Sequence, residues 1–278
     1  MNRFIAAALR IPRIGVQILT SPLPAPLRRT LFKDYLLSIE LKRFGKSGTP
    51  LSLAGYSVNY LHFGGLVFQF HELFVQAHYF VSLESNHPYI IDCGSNIGLS
   101  VMFFAKLYPD AIILAFEPDP DAYACLTRNV QDNGLNNVTT ECVAITDKEG
   151  EVDFYSDENR PGSALGSIIP GRVQGSRQRV PSRTLSSLIN GKVDLLKIDI
   201  EGAELQVVRD LAEEGKLSFI QNCLIEFHHH IQPGENHLAE LLSFLERAGF
   251  GYMISAPDYP GHRPGKYQDI LIYAYKLT

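Results

Sequence analysis

The sequence lacks any run of 18 apolar residues and has only four cysteines among its 278 residues. A membrane-spanning helix needs such a run, so we expect none. The cysteines are far apart and include neither a Cys-x-x-Cys pair nor a Cys/His set with the spacing of a zinc site. We therefore expect buried, reduced thiols in a cytoplasmic protein, at Cys93, Cys125, Cys142 and Cys223.

Signals of nucleic-acid recognition are also absent. The chain has no Asn/Asp-Pro-Pro-Tyr/Phe motif, which is typical of enzymes that act on a flipped, amino-bearing base. It has no basic stripe with interleaved aromatic residues either. We therefore expect no nucleic-acid partner.

Charge is distributed unevenly along the chain. Residues 1–50 hold nine Lys/Arg and two Asp/Glu, a net charge of +7, whereas residues 51–278 hold sixteen and twenty-eight, a net charge of −12. We interpret residues 1–50 as a basic helical extension and residues 51–278 as the main domain. Residues 1–20 suit packing on the main domain or on a second subunit of a homo-oligomer. The alternative is contact with an acidic partner or a peripheral membrane surface.

From residue 89 onward, apolar strands alternate with helices. The sequence predicts five strands, at residues 89–92, 111–117, 137–144, 193–199 and 219–227. Near-continuous apolar strands separated by helices are typical of a largely parallel sheet that is covered on both faces. A final hairpin, residues 252–255 and 270–275, adds an antiparallel strand at one side. The pattern therefore predicts an α/β fold.

Three other segments lie outside this alternation. Residues 58–62 and 66–70 flank Gly64-Gly65, which predicts a β-hairpin, and a helical pattern follows. The segments 149–183 and 256–267 include long loops, and both can approach the ligand edge of the sheet. Their side chains suit a hydroxylated or anionic acceptor, although solvated arginines are an equal alternative. The residues in question are Arg160, Arg172, Arg177, Arg179, Tyr259, His262, Arg263 and Tyr267.

The stretch 90–98 (IIDCGSNIG) has the pattern of a buried strand that ends in a glycine-rich turn and leads into a helix. Such a turn presents backbone N–H groups to nucleotide-like ligands at the carboxyl edge of a sheet. The glycines are at 94 and 98, whereas Asn96 and Leu99 stand where a dinucleotide fingerprint has glycine. The turn therefore suits a nucleoside with an uncharged tail better than a pyrophosphate, and a packing role is the alternative.

Charged residues end two of the following strands. Glu117 lies about 20 residues beyond the glycine turn, where a carboxylate accepts hydrogen bonds from ribose hydroxyls in nucleoside-binding α/β folds. Its alternative role is to neutralise the start of the next helix. Lys197, Asp199 and Glu201 alternate with isoleucines, which places them on one side of the fourth strand. Burying a charge is costly unless the charge is paired or has a functional role. We therefore expect Lys197 either to form an ion pair or to belong to a functional site.

These motifs, taken in order, resemble those of the FkbM-type S-adenosylmethionine-dependent methyltransferases. The resemblance covers roughly residues 70–228 and leaves out the first 50 and last 50 residues. It rests on IIDCGSNIG, AFEPDP, Asn129 and Asn133, ECVAITDKEG and LLKIDIEGAEL. The resemblance implies a Rossmann-like class I methyltransferase fold. Such a fold has a mostly parallel seven-stranded sheet with one antiparallel strand, here preceded by the helical extension and the hairpin.

The resemblance also implies which residues surround S-adenosylmethionine. The methionine end would meet the glycine turn, that is Asp92, Gly94, Ser95, Asn96 and Gly98. The ribose would meet Glu117. The adenosine would be flanked by Pro118 and Asp119, and the adenine would meet Val143 and Ala144. The methyl-transfer region would be faced by Asp199 and Glu201. The family usually has Ala where this chain has Ser95, a small change that keeps the turn plausible.

Methyl transfer to a hydroxyl is an in-line displacement, and the acceptor needs a base or a metal because alcohols are weak acids. Period-two alternation puts Glu226 and His228 on one side of the fifth strand, beside Asp199 on the fourth. We predict that His228 is the base or orients the acceptor, with Asp199 and Glu226 as the other catalytic candidates. The alternative is that Asp199, Glu226 and His228 hold a divalent cation such as Mg²⁺.

The sequence therefore predicts an O-methyltransferase that acts on a hydroxyl of a small molecule, sugar or natural product. Two other classes compete with it. A nicotinamide-dependent oxidoreductase is disfavoured by the missing third glycine. A cofactor-binding but non-catalytic partner protein is disfavoured by the intact Gly94, Glu117 and Asp199.

Overall fold

The computed structural model describes residues 14–35, 49–157, 163, 165–232, 234–256 and 268–277. Its helices include α1 (Ala25–Asp34), α2 (Phe63–Phe70), α3 (Leu99–Leu107), α4 (Pro120–Asp132), α5 (Leu185–Leu188), α6 (Glu204–Glu213) and α7 (Leu238–Arg247). Its strands are β1 (Leu51–Leu53), β2 (Tyr56–Val58), β3 (Tyr89–Cys93), β4 (Ile112–Phe116), β5 (Val138–Glu141), β6 (Ala144–Thr146), β7 (Gly150–Ser156), β8 (Ser176–Thr184), β9 (Leu195–Ile198), β10 (Asn222–His229), β11 (Phe250–Ser255) and β12 (Gln268–Lys276).

The central sheet has seven strands in the order β11-β12-β10-β9-β3-β4-β5. Strand β12 is antiparallel to both neighbours, whereas β10, β9, β3, β4 and β5 pair in parallel. The predicted α/β fold, with a mostly parallel seven-stranded sheet and one antiparallel strand, is therefore confirmed. The parallel strands bring their carboxyl ends to one edge, where the glycine turn and the acidic strand ends lie.

Alternation along the central strands explains why two cores form. Ile90 and Leu195 belong to the core cluster that includes α3 and α4, whereas their chain neighbours Ile91 and Leu196 belong to the cluster that includes α6 and α7. Successive strand residues point to opposite faces, so a strand with helices on both faces must be apolar throughout. This burial makes the central strands a rigid base for the site.

A second sheet interrupts the parallel order after β5. The predicted third strand, residues 137–144, is divided, because β5 ends at Glu141 and Ala144 begins β6 in another sheet. That sheet has the order β6-β8-β7 and packs around Phe154 and Val180. Apolar residues continue across Cys142 and Val143, which is why the pattern did not reveal the break. The second sheet stands beside the carboxyl edge of β4.

The hairpin that the sequence predicts over residues 58–70 is wrong in position. Strands β1 and β2 form a hairpin at residues 51–58, and residues 63–70 form helix α2. The His62 Nδ1 atom accepts a hydrogen bond from the Gly65 backbone N–H at 3.2 Å, which caps the helix. Leu66 and Phe70 are four residues apart and both are buried. The helical period therefore overrides the hairpin signal of the glycine pair.

The N-terminal part of the described chain packs on the main domain. Ile18, Leu27 and Leu31 are buried in the same core cluster as Phe70 and Phe103. The division into an extension, 1–50, and a domain, 51–278, stays a prediction, and residues 1–13 and 36–48 lie outside the described residues. Among the residues that the structure describes, no helix has the length and apolar character to cross a membrane.

Candidate functional site

The glycine turn that follows β3 is shaped by its neighbours. Gly94 has φ +81°, and a Cβ atom there would lie 1.7 Å from the carbonyl oxygen of Asp199, so a side chain cannot be accommodated. The backbone N–H groups of Gly94 and Ser95 both donate to the Phe116 carbonyl at 2.9 Å. Gly98 has φ +90° and packs against Leu126. The turn is therefore wedged between the ends of β4 and β9.

A buried ion pair supports the turn from below. The Lys197 Nζ lies 3.1 Å from Asp92 Oδ1, and it donates to the carbonyls of Cys93 (3.1 Å) and Gly94 (2.7 Å). Burial lowers the pKa of Lys197, but the carboxylates of Asp92 and Asp199 outweigh it and raise the pKa above its usual value. Asp92 is completely buried, and its other oxygen accepts a hydrogen bond from Ser100 at 2.5 Å. The ion pair of Lys197 and Asp92 therefore fixes the backbone of the turn through the carbonyls of Cys93 and Gly94.

Glu117 directly follows β4 and ties three segments together. Its Oε2 accepts a hydrogen bond from the Asn96 backbone N–H at 2.7 Å, and its Oε1 accepts one from the Asp119 backbone N–H at 2.8 Å. Burial raises the pKa of Glu117 to about 7, although these two hydrogen bonds lower it. Each carboxylate oxygen has two acceptor positions, so one on each oxygen remains for a hydroxyl. Asp119 itself caps α4 by accepting from Asp121 and Ala122.

A small cavity of about 60 Å³ lies beside Glu117. Its walls include Pro118, Val143 and Ala144 on one side and Phe154 and Ile168 from the second sheet and its loop. Apolar walls with a carboxylate at one end suit a flat ring joined to a sugar. The structure thus brings together four residues that the sequence predicted for the ribose and adenine: Glu117, Pro118, Val143 and Ala144.

A larger cavity of about 570 Å³ begins where the small one ends. Both are lined by Gly94, Asn96, Asp199 and Glu201, so the two cavities meet at the glycine turn and the end of β9. Ser95 also lines the larger cavity. The remaining predicted cofactor residues, Asp92, Gly98 and Asp119, line neither cavity and support the elements that do.

The larger cavity contains a buried acidic centre. Tyr79 places its hydroxyl 2.9 Å from Asp199 Oδ2 and 2.9 Å from Glu226 Oε2. Burial, followed by the nearby Asp199 carboxylate, raises the pKa of Glu226 to about 8. Burial and the carboxylates of Asp199 and Asp269 raise the pKa of Glu72 to about 7. Protons are therefore retained in this part of the cavity at neutral pH.

His228 lies at the end of β10 and is enclosed by carboxylates. Its Nδ1 is 2.8 Å from Glu204 Oε1, and its Nε2 is 3.4 Å from Glu201 Oε2 and 3.8 Å from Asp199 Oδ1. Burial lowers the pKa of His228, but Glu204, Glu201 and Asp199 raise it well above its usual value. A protonated imidazole cannot accept a proton. The sequence predicts that His228 either acts as a base or orients the acceptor. The surrounding carboxylates favour the orienting role.

Glu201 also holds a loop against the site. Arg172 Nη2 lies 2.6 Å from Glu201 Oε2, and the Ser167 hydroxyl donates to the Glu201 carbonyl at 2.6 Å. Arg177 and Arg179 instead pair with Asp153 and Glu151 on the second sheet. Of these three arginines, only Arg172 lines the larger cavity. The other loop candidates, Arg160, Tyr259, His262, Arg263 and Tyr267, lie outside the described residues.

The donor set of Asp199, Glu226 and His228 fits a divalent cation. One ligand atom from each residue lies within 4.8 Å of the others. The contact between His228 Nδ1 and Glu204 matches the carboxylate–histidine pairing that orients metal-binding imidazoles. Two carboxylates and one imidazole suit a metal that accepts mixed ligands, whereas Mg²⁺ usually takes oxygen ligands only.

Sequence reasoning missed several residues that the structure brings into the site. Glu72 and Tyr79 come from the segment before β3, and Asp269 comes from β12. Glu204 lies within the quoted LLKIDIEGAEL motif, three residues beyond Glu201, but it had no assigned role. Helix spacing could have indicated Glu204, because it lies in the first turn of the helix that follows β9, and that turn faces the end of the neighbouring strand β10. No local signal marks the other three.

Comparison with known proteins adds a family. The model described as Methyltransferase FkbM domain matches residues 92–252. The chain is 28% identical over 229 residues to the 31-O-demethyl-FK506 methyltransferase FkbM of Streptomyces tacrolimicus, which covers 70% of this chain and 86% of that protein. It is 29% identical over 144 residues to the 2-O-methyltransferase NoeI of Sinorhizobium fredii (strain NBRC 101917 / NGR234), covering 45% and 58%. The solved structure of methyltransferase FkbM from Methylobacillus flagellatus KT aligns with 97% of this chain and 60% of that chain, with a TM-score of 0.49 and 15% identity.

Proposed function

The chain belongs to the FkbM methyltransferase family, and from that premise we propose that it transfers a methyl group from S-adenosylmethionine to a hydroxyl oxygen. The acceptor that we propose is a small molecule, a sugar or a natural product. The names of two relatives specify oxygen, a 31-O position in one and a 2-O position in the other. Those names support the choice of oxygen as the accepting atom in this chain.

One observation carries the proposal: the two cavities meet at Gly94, Asn96, Asp199 and Glu201. A nucleoside in the small cavity would direct its tail past the glycine turn into the larger one. The adenine would lie between Val143 and Ala144 and the opposite wall. We assign Asp92, Gly98 and Asp119 to the support of this pocket, because they order its walls and do not line it.

We assign Glu117 to the binding of the ribose. Its two oxygens each accept one backbone N–H, which fixes the carboxylate in one orientation. Hydroxyl donors can use the remaining acceptor positions without displacing those hydrogen bonds. A carboxylate in the position that follows the second strand of a Rossmann-like sheet is the usual partner of ribose hydroxyls.

Bound S-adenosylmethionine supplies a methyl group on a positively charged sulfur. The chain must hold the acceptor oxygen in line with that methyl group and receive the acceptor proton. We assign proton acceptance to Asp199, whose side chain is 25% exposed and faces both cavities. His228 orients the acceptor by donating a hydrogen bond from Nε2. The Glu226 carboxyl completes the catalytic group beside Asp199.

A metal-assisted route is the second candidate. The observation that favours it is the close spacing of ligand atoms on Asp199, Glu226 and His228. In that case the imidazole is neutral and the three residues hold the cation. A divalent cation would lower the pKa of an acceptor hydroxyl and remove the need for a protein base. Dependence of turnover on added Mg²⁺ or Mn²⁺, and its loss in chelator, distinguishes this route from the first.

The charge of the larger cavity supports a neutral acceptor. Five of its lining residues are acidic, on four separate segments: Glu72, Asp199 with Glu201, Glu226 and Asp269. Acidic side chains outnumber Arg172 and Lys197 in this lining, which disfavours the phosphates of a nucleic-acid backbone. Contact of residues 1–20 with a membrane surface and formation of a homo-oligomer both remain predictions, and residues 1–13 lie outside the described part of the chain.

The test is a methyl-transfer screen with tritium-labelled S-adenosylmethionine. Alcohols, glycosides and natural-product extracts are offered with Mg²⁺, with Mn²⁺ and with chelator. We expect labelled product from at least one neutral hydroxyl compound. Binding of S-adenosylmethionine without transfer to any acceptor would support the non-catalytic alternative. Hydride transfer with a nicotinamide, together with no binding of S-adenosylmethionine, would support the oxidoreductase and overturn the proposal.

A further inference from the structure

Tyr79 stands out among the residues that line the larger cavity. It lies between the π-helical turn His71–Val75 and strand β3, outside the motifs that define the cofactor pocket. The residue is 7% exposed, and its hydroxyl reaches the ends of both β9 and β10. A buried phenol needs a partner for its hydroxyl, and here there are two candidates.

The hydrogen-bond count around this hydroxyl is unusual. A phenol has one hydrogen, yet Asp199 Oδ2 and Glu226 Oε2 both lie 2.9 Å from its oxygen. Two ionised carboxylates cannot both accept the single hydrogen. Tyr79 therefore donates to one carboxyl group and accepts from the other, so the three side chains form a chain of two hydrogen bonds. Such a chain fixes the orientation of both carboxyl groups at once.

Lys197 competes for the same carboxylate oxygen. Its Nζ lies 3.5 Å from Asp199 Oδ2, on the side of the buried Asp92. Without the Tyr79 hydroxyl, charge attraction would draw the Asp199 carboxylate toward Lys197 and away from His228. With the hydroxyl present, Oδ2 is held and Oδ1 lies 3.8 Å from His228 Nε2, beyond hydrogen-bond distance. Oδ1 is then the oxygen that faces an incoming acceptor.

We propose that Tyr79 is a positioning residue for methyl transfer, which holds the Asp199 carboxylate between Glu226 and the acceptor and limits its approach to Lys197 to the observed 3.5 Å ion pair. The inference rests on the proposed function, since Asp199 receives a proton only if an acceptor is methylated. It adds a residue outside the family motifs to the reaction. The residue acts through Asp199 and does not itself touch the transferred methyl group.

The test is Tyr79→Phe, which removes one oxygen and keeps the ring. We expect kcat to fall on the order of 100-fold, because a displacement of about 1 Å in a reacting group costs that much. The dissociation constant for S-adenosylmethionine, measured by calorimetry, should stay within about threefold, since Tyr79 does not line the small cavity. A general loss of stability would not produce this split between kcat and binding.

Tyr108→Phe is the matched control. Its hydroxyl also makes two part-buried hydrogen bonds, to the Val81 carbonyl and from the Leu83 N–H, but it is outside both cavities. This variant should keep wild-type kcat. Wild-type kcat in Tyr79→Phe would overturn the inference and leave the proposed function intact. Loss of cofactor binding in Tyr79→Phe would also overturn it, whereas absence of binding in the wild-type protein would overturn the proposed function.

A crystal structure of the wild-type protein with S-adenosylhomocysteine keeps the inference testable if Tyr79→Phe does not fold. The Tyr79 hydroxyl should lie within hydrogen-bond distance of both Asp199 and Glu226. A Tyr79 side chain turned away from Asp199, with Lys197 bonded to that carboxylate instead, would contradict the proposed role.

Discussion

The two ends of the site are built differently. The end that we propose for the adenosine is small, and Glu117, the carboxyl group that lines this end alone, is held by two backbone N–H groups. The acceptor end is wider and contains ionisable side chains from at least four segments that are far apart in sequence. The first end is arranged to bind one rigid group tightly. The second is arranged to place protons and charges. Binding and turnover should therefore respond to different substitutions.

The glycine turn joins the two ends, so its disruption should have the largest effect. Gly94→Ala places a Cβ atom against the Asp199 carbonyl, and we expect it to abolish cofactor binding and to lower the free energy of unfolding by about 3 kcal/mol or more. Gly134→Ala is the control. Gly134 also has positive φ, but a Cβ atom there would meet no neighbouring atom within 4 Å. It should cost only about 1–2 kcal/mol and keep activity. If chemical denaturation showed equal losses of stability in Gly94→Ala and Gly134→Ala, that result would contradict the close approach of Gly94 to the Asp199 carbonyl.

His228→Ala tests the acceptor end alone. We expect kcat to fall about 100-fold or more, because the substitution removes a positioned hydrogen-bond donor, while binding of S-adenosylmethionine persists. His229→Ala is the matched control, since His229 is the next residue of β10 and lines neither cavity. Radiometric assays measure kcat, and calorimetry measures the binding of S-adenosylmethionine, in both variants. Near-normal turnover in His228→Ala would remove that residue from the mechanism.

Glu117→Gln tests the adenosine end alone. The amide has one acceptor oxygen where the backbone N–H groups of Asn96 and Asp119 need two, so the ribose loses a correctly oriented partner. We expect the dissociation constant for S-adenosylmethionine to rise about tenfold, which is about 1.4 kcal/mol, with kcat at saturation nearly unchanged. Glu141→Gln, which removes a half-exposed partner of Arg183, is the control. A fall in kcat without weaker binding would reverse the assignment of the two ends.

Glu72 gives the smallest effect, which appears in the pH dependence of stability. Its pKa is raised from 4.5 to about 7, so the folded protein holds this proton more firmly than the unfolded chain does. The resulting stability is fully present below pH 4.5 and is lost as the pH rises through 7. Glu72→Gln should therefore gain on the order of 1 kcal/mol relative to wild type between pH 5 and pH 8. Glu84→Gln, which changes an exposed glutamate of the same segment before β3, should follow the wild-type profile in urea unfolding.

The same contrast explains what the sequence could predict. Gly94, Glu117 and Asp199 follow three parallel strands that are neighbours in the sheet, and each apolar strand with its glycine or acidic end can be recognised from local sequence. Tyr79 meets Asp199 and Glu226 across 120 and 147 residues of sequence, and no local pattern records such a contact. The glycine pair at 64–65 hid helix α2 because glycine signals a turn more strongly than it signals a helix start. The apolar residues Cys142 and Val143 likewise hid the break between β5 and β6.

Calorimetric titration of the wild-type protein with S-adenosylmethionine tests the central claim most directly. We predict one site per chain, competition by S-adenosylhomocysteine, and weaker binding in Glu117→Gln but not in His228→Ala. The contradicting result is no heat with S-adenosylmethionine under conditions where the protein is folded, or binding that His228→Ala weakens and Glu117→Gln leaves unchanged.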